Sequence, residues 1–594
     1  MVGVGGWCLP QSADGGGTSN MSVFEKKKDN RLLMDDTKPL VCNITDAQNT
    51  DGHVEYCVEV WRTPDTETKW TVSHRYSDFA QLHAALKVGS VVLPQLPPKK
   101  VFGNTDRDFI NERKAALQKY LEDILSNPVL AASLVVKRFL DPKSYTRNFQ
   151  EEARQNVHIV LRSGGSHEVT EALASCGTRI SKEYFLAHPL SDPKTQHVLW
   201  WAPFGPDRAM NLRDTHATLT ALVQCQHPYI VPAVSSVASE AGVCVVRPWF
   251  PQGTVRDMIH DAKPRGNFLI KYSSDKPSSI RQRDCAIYGR QILEALLFLH
   301  EKGLGYGHLH TGNLVIDNNV CRLLDLENQV VGLPNQLRSQ MVHHRKINSM
   351  EAIDVYCFGH VLYEMVFKKR LATNTCPEFP PESPALSRSV LESILSAEAC
   401  KNGLPTVAGL LTHPFFNQVP LHSYEKPSLR LPSSVKQAVA QSQEAMLLRL
   451  AADQKKIRQQ RKLSKAEAFV SQQFSKSTRS KKNLHLDTNG LSTKSNQRAS
   501  GDIVNSSGDT LNGNDDDGQT SSSPSPTLSP PPPPPPPTPV TPLSPTVASF
   551  PDDPFSSKFQ DAGEERTALL SAIGGFKKNK LKKTDTNDRS APRI

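Results

Sequence analysis

The sequence predicts a multidomain chain of the α+β class: a small module of three strands and helices, a larger two-lobed α+β domain, a basic helical segment and a Pro-rich disordered tail. Three observations predict this. The 594 residues exceed what one hydrophobic core organises. Strand-like segments give way to helical periodicity twice, once before about residue 145 and again between 155 and 418. From about residue 483 the composition turns to Ser, Asn, Asp, Thr and Pro, which cannot bury a core.

Taken in order, residues 1–20 are rich in Gly and Ser and read as a disordered leader. The first module, residues 21–145, has β-branched and aromatic runs at Leu40–Ile44, Val54–Trp61 and Trp70–His74. Phe79, Leu82 and Leu86 follow at helical spacing, Pro94–Pro98 forces an extended turn, and Phe109–Leu125 is again amphipathic helix. The second domain, residues 155–418, places strand-like Val198–Trp201 and Val243–Val246 ahead of helical Cys285–Leu299 and Val355–Val366. Residues 432–482 are polar, helix-prone and basic, as in Lys455–Lys462, and the basic part reads as a solvated helix. Residues 483–550 read as disordered, with polyproline II at the run Pro530–Pro537. Residues 551–594 close with a short amphipathic piece, Arg566–Ile573, and a basic tail.

A net charge of +10 and a pI near 8.9 suit a phosphate-rich partner. The 11 cysteines form no CxxC pair, which argues against a zinc site or a disulfide framework. There is no basic-then-apolar leader and no run of about 18 apolar residues, so a cytoplasmic protein is expected. The basic segment lacks interleaved aromatics beyond Phe469 and Phe474, so nucleic acid is not an expected partner.

The first candidate site lies in the small module. In HRYSDFAQLH, from His74, Arg75 stands beside Tyr76 at a strand-to-helix junction, where a guanidinium can fork onto phosphate and a ring can pack on an inositol face. Lys99 and Lys100 follow on the Pro-rich turn LPPKK, and Arg113 lies near a helix start. In these three ordered elements the module resembles the phox-homology (PX) family. The resemblance implies that Arg75 holds a 3-phosphate, Tyr76 stacks under the ring, Lys99 or Lys100 contacts another phosphate and Arg113 meets the ring hydroxyls. It also implies binding to phosphoinositide membranes, phosphatidylinositol 3-phosphate favoured.

The second domain resembles the protein-kinase family through ILEALLFLHEKG ending at Gly303, YGHLHTGNLVID, CRLLDLE and the DVYCFGHVLYEM helix from Asp354. Phosphoryl transfer needs a base, a lysine on the phosphates, a loop over the nucleotide and two metal ligands. By this resemblance Asn313 and Asp325 occupy the metal-ligand positions, as vestiges. His308 stands where the catalytic Asp belongs and His310 where the loop lysine belongs. RSGGSH, from Arg162, lacks the glycine-loop spacing, the strand VLWWAPF carries Trp where the lysine belongs, and Thr218 is the nearest candidate for the helix Glu. The expectation is a pseudokinase with no catalytic residue, no required cofactor and weak or absent Mg-ATP binding.

In the tail, Leu569, Leu570 and Ile573 share one stripe of a short helix and are followed by Leu581, Lys582 and Lys583. This resembles the WASP-homology motif, which implies actin as a partner. The proline run suits Pro-recognising modules. Together these readings predict an adaptor on endosomal membranes, and also the plasma membrane, that acts in receptor trafficking on cargo of unknown identity. The competing expectation is an active membrane-recruited serine/threonine kinase with an atypical catalytic loop.

Overall fold

The computed structural model describes residues 35–483, except 51–52, 90, 100–105, 174–175, 178, 273–279, 382 and 421–425, with backbone alone from residue 470. The leader 1–20, Lys100, the Pro-rich segment after Asn483 and the tail residues Leu569, Leu570, Ile573, Leu581, Lys582 and Lys583 lie outside the described residues.

The first module is an antiparallel meander, β1 Leu40–Thr50, β2 His53–Arg62 and β3 Asp65–Arg75, in spatial order β1-β2-β3. Side chains alternate along a strand, so Tyr56, Val58 and Val60 of β2 share one buried face. Against that face lie α1 Tyr76–Leu86, through Phe79, Leu82 and Leu86, and α2 Arg107–Ser126, through Leu117, Leu121 and Ile124. Each such side chain contributes about 1.5–3 kcal/mol on burial. All three strands and both helices coincide with the expected segments, each extended by a few residues.

The next helix, α3 Phe149–Arg162, belongs to the second domain. Its Ala153 and Val157 pack on Phe185, Leu199 and Trp201, the outer face of a five-stranded sheet. That sheet runs β4-β5-β6-β8-β7, from β4 His167–Ala172, β5 Glu183–Pro189, β6 His197–Ala202, β7 Ser235–Ala238 and β8 Val243–Pro248. Helix α4 Leu212–Val223 sits between β6 and β7 in the chain. The helical lobe contains α5 Gln282–Glu301, α6 Met350–Phe367 and α7 Ala385–Leu395, with a hairpin of β9 Leu314–Asp317 and β10 Val320–Leu323. Helix α6 is buried nearly all round, which explains why its sequence shows little amphipathic contrast.

Residues 432–482, expected to be a helical segment, form a single helix, α8 Ser433–Asn483, whose first half packs against the large domain. Val435, Val439, Ser442, Met446, Leu450 and Ile457, three, four or seven residues apart on one stripe, are buried. Their apolar members join the core of the kinase-like domain. The basic stretch 461–469 is exposed.

Two of the contacts that join the small module to the large domain stand out. Leu269, on the short helix Phe268–Lys271, is buried in the small module's own core beside Leu40, Phe79 and Leu121. At the other contact, Arg338 Nη2 lies 3.0 Å from Asp453 of α8 and its Nε 3.8 Å from Asp35, while Arg449 of α8 pairs with Asp35 at 2.6 Å and also with Asp207.

Candidate functional site

Arg75 ends β3 and caps α1. Its backbone N–H donates to Asp78 Oδ2 at 2.8 Å, which fixes the strand-to-helix corner. The pairing of β2 with β3 sets Glu55 opposite Arg75, and Arg75 Nε donates to Glu55 Oε1 at 3.3 Å. Glu55 is held below its ordinary pKa by hydrogen bonds from His53, then Ser73, then Arg75, so it steadies the guanidinium as a carboxylate. The Arg75 side chain is 53% exposed, and its two terminal nitrogens make no hydrogen bond among the described residues. A bidentate donor is thus aimed outward at the N-terminus of a helix, where the dipole also favours an anion.

Tyr76 and Arg113 tie the Pro-rich turn beside it. The Tyr76 hydroxyl donates to the Pro97 carbonyl at 2.5 Å, and Arg113 Nη2 donates to the Pro98 carbonyl at 3.2 Å. The Arg113 guanidinium is sandwiched, 4.6 Å from the Tyr76 ring centre and 4.2 Å from that of Phe109. It is only 7% exposed, and its Nε has no partner. Lys99, the next residue on the turn, is exposed. The structure therefore brings Arg75, Tyr76, Lys99 and Arg113 to one corner, with Arg113 as its floor.

The second constellation is the cleft between the two lobes of the large domain. Tyr306 and Gly307 donate their backbone N–H groups to Asp354 of α6, at 2.8 and 2.6 Å. Asn313 Nδ2 donates to the His308 carbonyl at 3.0 Å, and the Leu324 N–H donates to the Asn313 carbonyl at 2.9 Å. Asn313 thus braces the loop. His308 is buried with neither ring nitrogen partnered. Burial first, then Arg179 and Lys182, drives its pKa well below the ordinary imidazole value, so the ring is neutral and a weak base. His310 is likewise driven well below, by burial and then Arg256.

One expectation is corrected here: the cleft does hold a buried lysine. Lys182 precedes β5, and its Nζ lies 2.7 Å from Asp325 Oδ2 and 2.9 Å from Asn328 Oδ1. Tyr184 pairs with Trp200 across β5 and β6, and Lys182, two residues before Tyr184, shares that face. Its ammonium sits 3.7 Å from the Trp200 ring centre. Position-by-position matching to β6 could not find it, because the cation comes from the neighbouring strand. The Trp200 indole N–H itself donates to Asp325 Oδ1 at 3.1 Å. Thr218 on α4 is buried and donates to the Asp214 carbonyl of its own helix at 2.7 Å, so it offers no carboxylate to Lys182.

Asp325 is crowded with donors. Arg247 Nε, from β8, pairs with Oδ1 at 3.1 Å as an ion pair without hydrogen-bond geometry, while Lys182 holds Oδ2. Against the upward push of burial, Lys182 and Arg247 hold the Asp325 carboxyl below its ordinary pKa, and burial brings Lys182 down to about 8. Asp325 also adopts a left-handed backbone, φ 55°. The segment between β4 and β5 has one glycine, Gly177, whose absent Cβ would stand 2.5 Å from the Tyr184 ring. The remaining cleft cavity is about 60 Å³, against roughly 300–1,000 Å³ for small-molecule sites.

With this geometry in hand, comparison with known proteins is direct. The family model of the PX domain matches residues 62–143, and that of the WH2 motif matches residues 562–591. A "PX domain-containing protein kinase-like protein" of Mus musculus is 43% identical over 449 residues, 75% of this chain and 77% of its own length. The "Slowpoke-binding protein" of Drosophila melanogaster is 33% identical over 36% of this chain and 42% of its own. The "Probable inactive serine/threonine-protein kinase slob2" of Dictyostelium discoideum is 31% identical over 36% and 38%. In sequence and in the order of its two folded domains, the chain belongs to the PX domain-containing protein kinase-like family.

Proposed function

We propose that this protein is a membrane-docked adaptor. Its PX module binds a phosphoinositide, phosphatidylinositol 3-phosphate by preference, on endosomal membranes. Its kinase-like domain presents a protein-binding surface, and its tail engages actin during receptor trafficking. The observation that carries the reading is the corner at Arg75: two guanidinium nitrogens without a hydrogen bond at a helix N-terminus, backed by a buried Arg113 Nε also without one, among the described residues. A headgroup phosphate and ring hydroxyl supply the acceptors those donors lack. The PX and WH2 matches support the membrane and actin assignments. A relative named for binding another protein and one named as an inactive kinase support a protein-binding role without phosphoryl transfer.

The cleft chemistry points the same way. Asp325 already has Lys182 and Arg247 as counter-ions, so a metal would have to displace a cation. His308 is a weak base, and no second glycine lies between β4 and β5. The Lys182–Asp325 pair is the one observation that favours retained nucleotide binding, and Mg-ATP is expected to bind weakly or not at all. One preparation of the full chain tests both parts. Wild type co-floats with vesicles containing phosphatidylinositol 3-phosphate, and Arg75→Gln weakens that binding about tenfold or more. Unchanged flotation of Arg75→Gln removes the lipid assignment, and transfer of label from Mg-ATP to a substrate removes the adaptor assignment.

A further inference from the structure

Between the PX module and the kinase-like domain lies a cavity of about 510 Å³, far larger than the kinase-like cleft. Its walls carry Lys38 and Lys137 from the PX side and Arg179 and Arg370 from the other, with Asp36 the one carboxylate among the described lining residues. That carboxylate does not balance the cations. Arg179 Nη1 stands 4.0 Å from Asp36 Oδ1, and the buried Lys137 donates to the Asp36 carbonyl at 2.7 Å rather than to its carboxylate. Lys38 has only a 3.8 Å approach to Asp453. Arg370 makes no ion pair or hydrogen bond at contact distance among the described residues, but protein encloses its guanidinium: burial and then Arg256 bring its pKa down to about 10, and Glu364 attracts it from a neighbouring pocket. Burial keeps Lys137 below its ordinary pKa, against the upward pull of Asp36 and Asp35, which outweighs the repulsion from Arg62 and Arg179.

From these observations we infer that the interdomain cavity is a binding site for a soluble small molecule bearing several phosphates. The volume is that of a compact ligand, not of a peptide groove. Clustered Arg and Lys around a single carboxylate match phosphate oxygens, each contact a charge-assisted hydrogen bond. A membrane-embedded headgroup is the poorer fit. The cavity touches the C-terminal end of α2 at Leu125 and Ser126, whereas Arg113 at the lipid corner lies three turns and more toward its N-terminus. At 1.5 Å per residue the two sites are about 20 Å apart along the helix. Because both domains supply cations, the ligand binds only the docked arrangement and stabilises it by mass action.

The test uses the full chain, with inositol hexakisphosphate as the probe, read by calorimetry and by thermal unfolding near physiological salt. Binding is expected, with a raised unfolding temperature, and Arg370→Gln weakens it roughly tenfold. Circular dichroism checks that the replacement leaves the fold intact, and Arg370→Lys, which keeps the charge, retains more of the binding than Arg370→Gln. Arg75→Gln and Arg247→Gln bind the probe as wild type does. Equal affinity in Arg370→Gln overturns the inference. So does loss in Arg75→Gln, which places the probe in the headgroup corner, or loss in Arg247→Gln, which places it in the cleft. A phosphoserine peptide that competes more strongly than the inositol phosphate overturns the small-molecule assignment.

Discussion

At the scale of single residues, the chemistry turns on which charges find partners. Arg75 is steadied at Nε and free at its fork, while Arg113 spends its fork on the Pro98 carbonyl and on two aromatic faces. The same residue type therefore reads as a ligand donor in one place and as a strut in the other. Glu327, two residues after Asp325, is a third case. Burial, and then the Asp325 charge, push its carboxyl up to about 7 from an ordinary 4.5. A raised carboxyl pKa favours the folded state fully below the unfolded value and loses that contribution as pH rises through the folded value. Glu327→Gln should therefore change stability little near pH 4.5. By pH 8 it should stabilise the protein by on the order of 3 kcal/mol, from about 1.4 kcal/mol per pKa unit. Denaturant titrations at the two pH values check this, and a gain independent of pH would refute it.

At the scale of elements, α8 shows how a helix can be legible while its environment is not. Its helical propensity and basic charge are plain in the sequence, and the helix is there. Its buried stripe is sparse, with Ser442, Asp453 and Gln454 among the buried positions, so the apolar periodicity that marks a core helix is diluted. Leu450→Ala should cost about 2–5 kcal/mol, because Leu450 is buried in the large core. Leu448→Ala, two residues away and 64% exposed, should change stability by less than about 0.5 kcal/mol. Chemical denaturation of the two variants decides whether α8 is part of the domain or an appendage. The β5–β6 pair carries the complementary lesson: Lys182 replaces a β6 lysine through cross-strand neighbourhood, which a one-dimensional motif cannot express.

At the scale of the whole molecule, the PX module and the kinase-like domain share a core as well as an ion cluster. Leu269 completes the PX core from a helix whose next charged residue, Lys271, pairs with Asp257 at 2.8 Å in the cleft wall. Gly89 marks the closest approach, since a Cβ there would lie 2.8 Å from the Leu269 carbonyl oxygen. Gly89→Val should therefore wedge the contact open. Hydrogen exchange should rise at Phe268–Lys271 and at the ends of α1 and α2, and small-angle scattering should show a larger radius of gyration. An unchanged radius and exchange pattern would mean that the contact tolerates the side chain.

Sequence alone determined the strand-and-helix order of the small module, the passage from strands to helices in the large domain, and the place of Arg75 and Tyr76 at a strand-to-helix junction. Those properties follow from local periodicity, turn chemistry and residue type, all written within a few tens of residues. Tertiary structure alone decided that Lys182 reaches Asp325, that Arg247 closes the cleft beside it, and that α8 and Leu269 belong to cores remote in sequence. It also decided that Asp35, Asp207, Arg338, Arg449 and Asp453 meet in one cluster. The physical reason is the same in each case. An ion pair or a packing contact depends on distance in space, and partners far apart in sequence, from Arg247 with Asp325 to Asp35 with Arg449, leave no periodic trace in the chain between them.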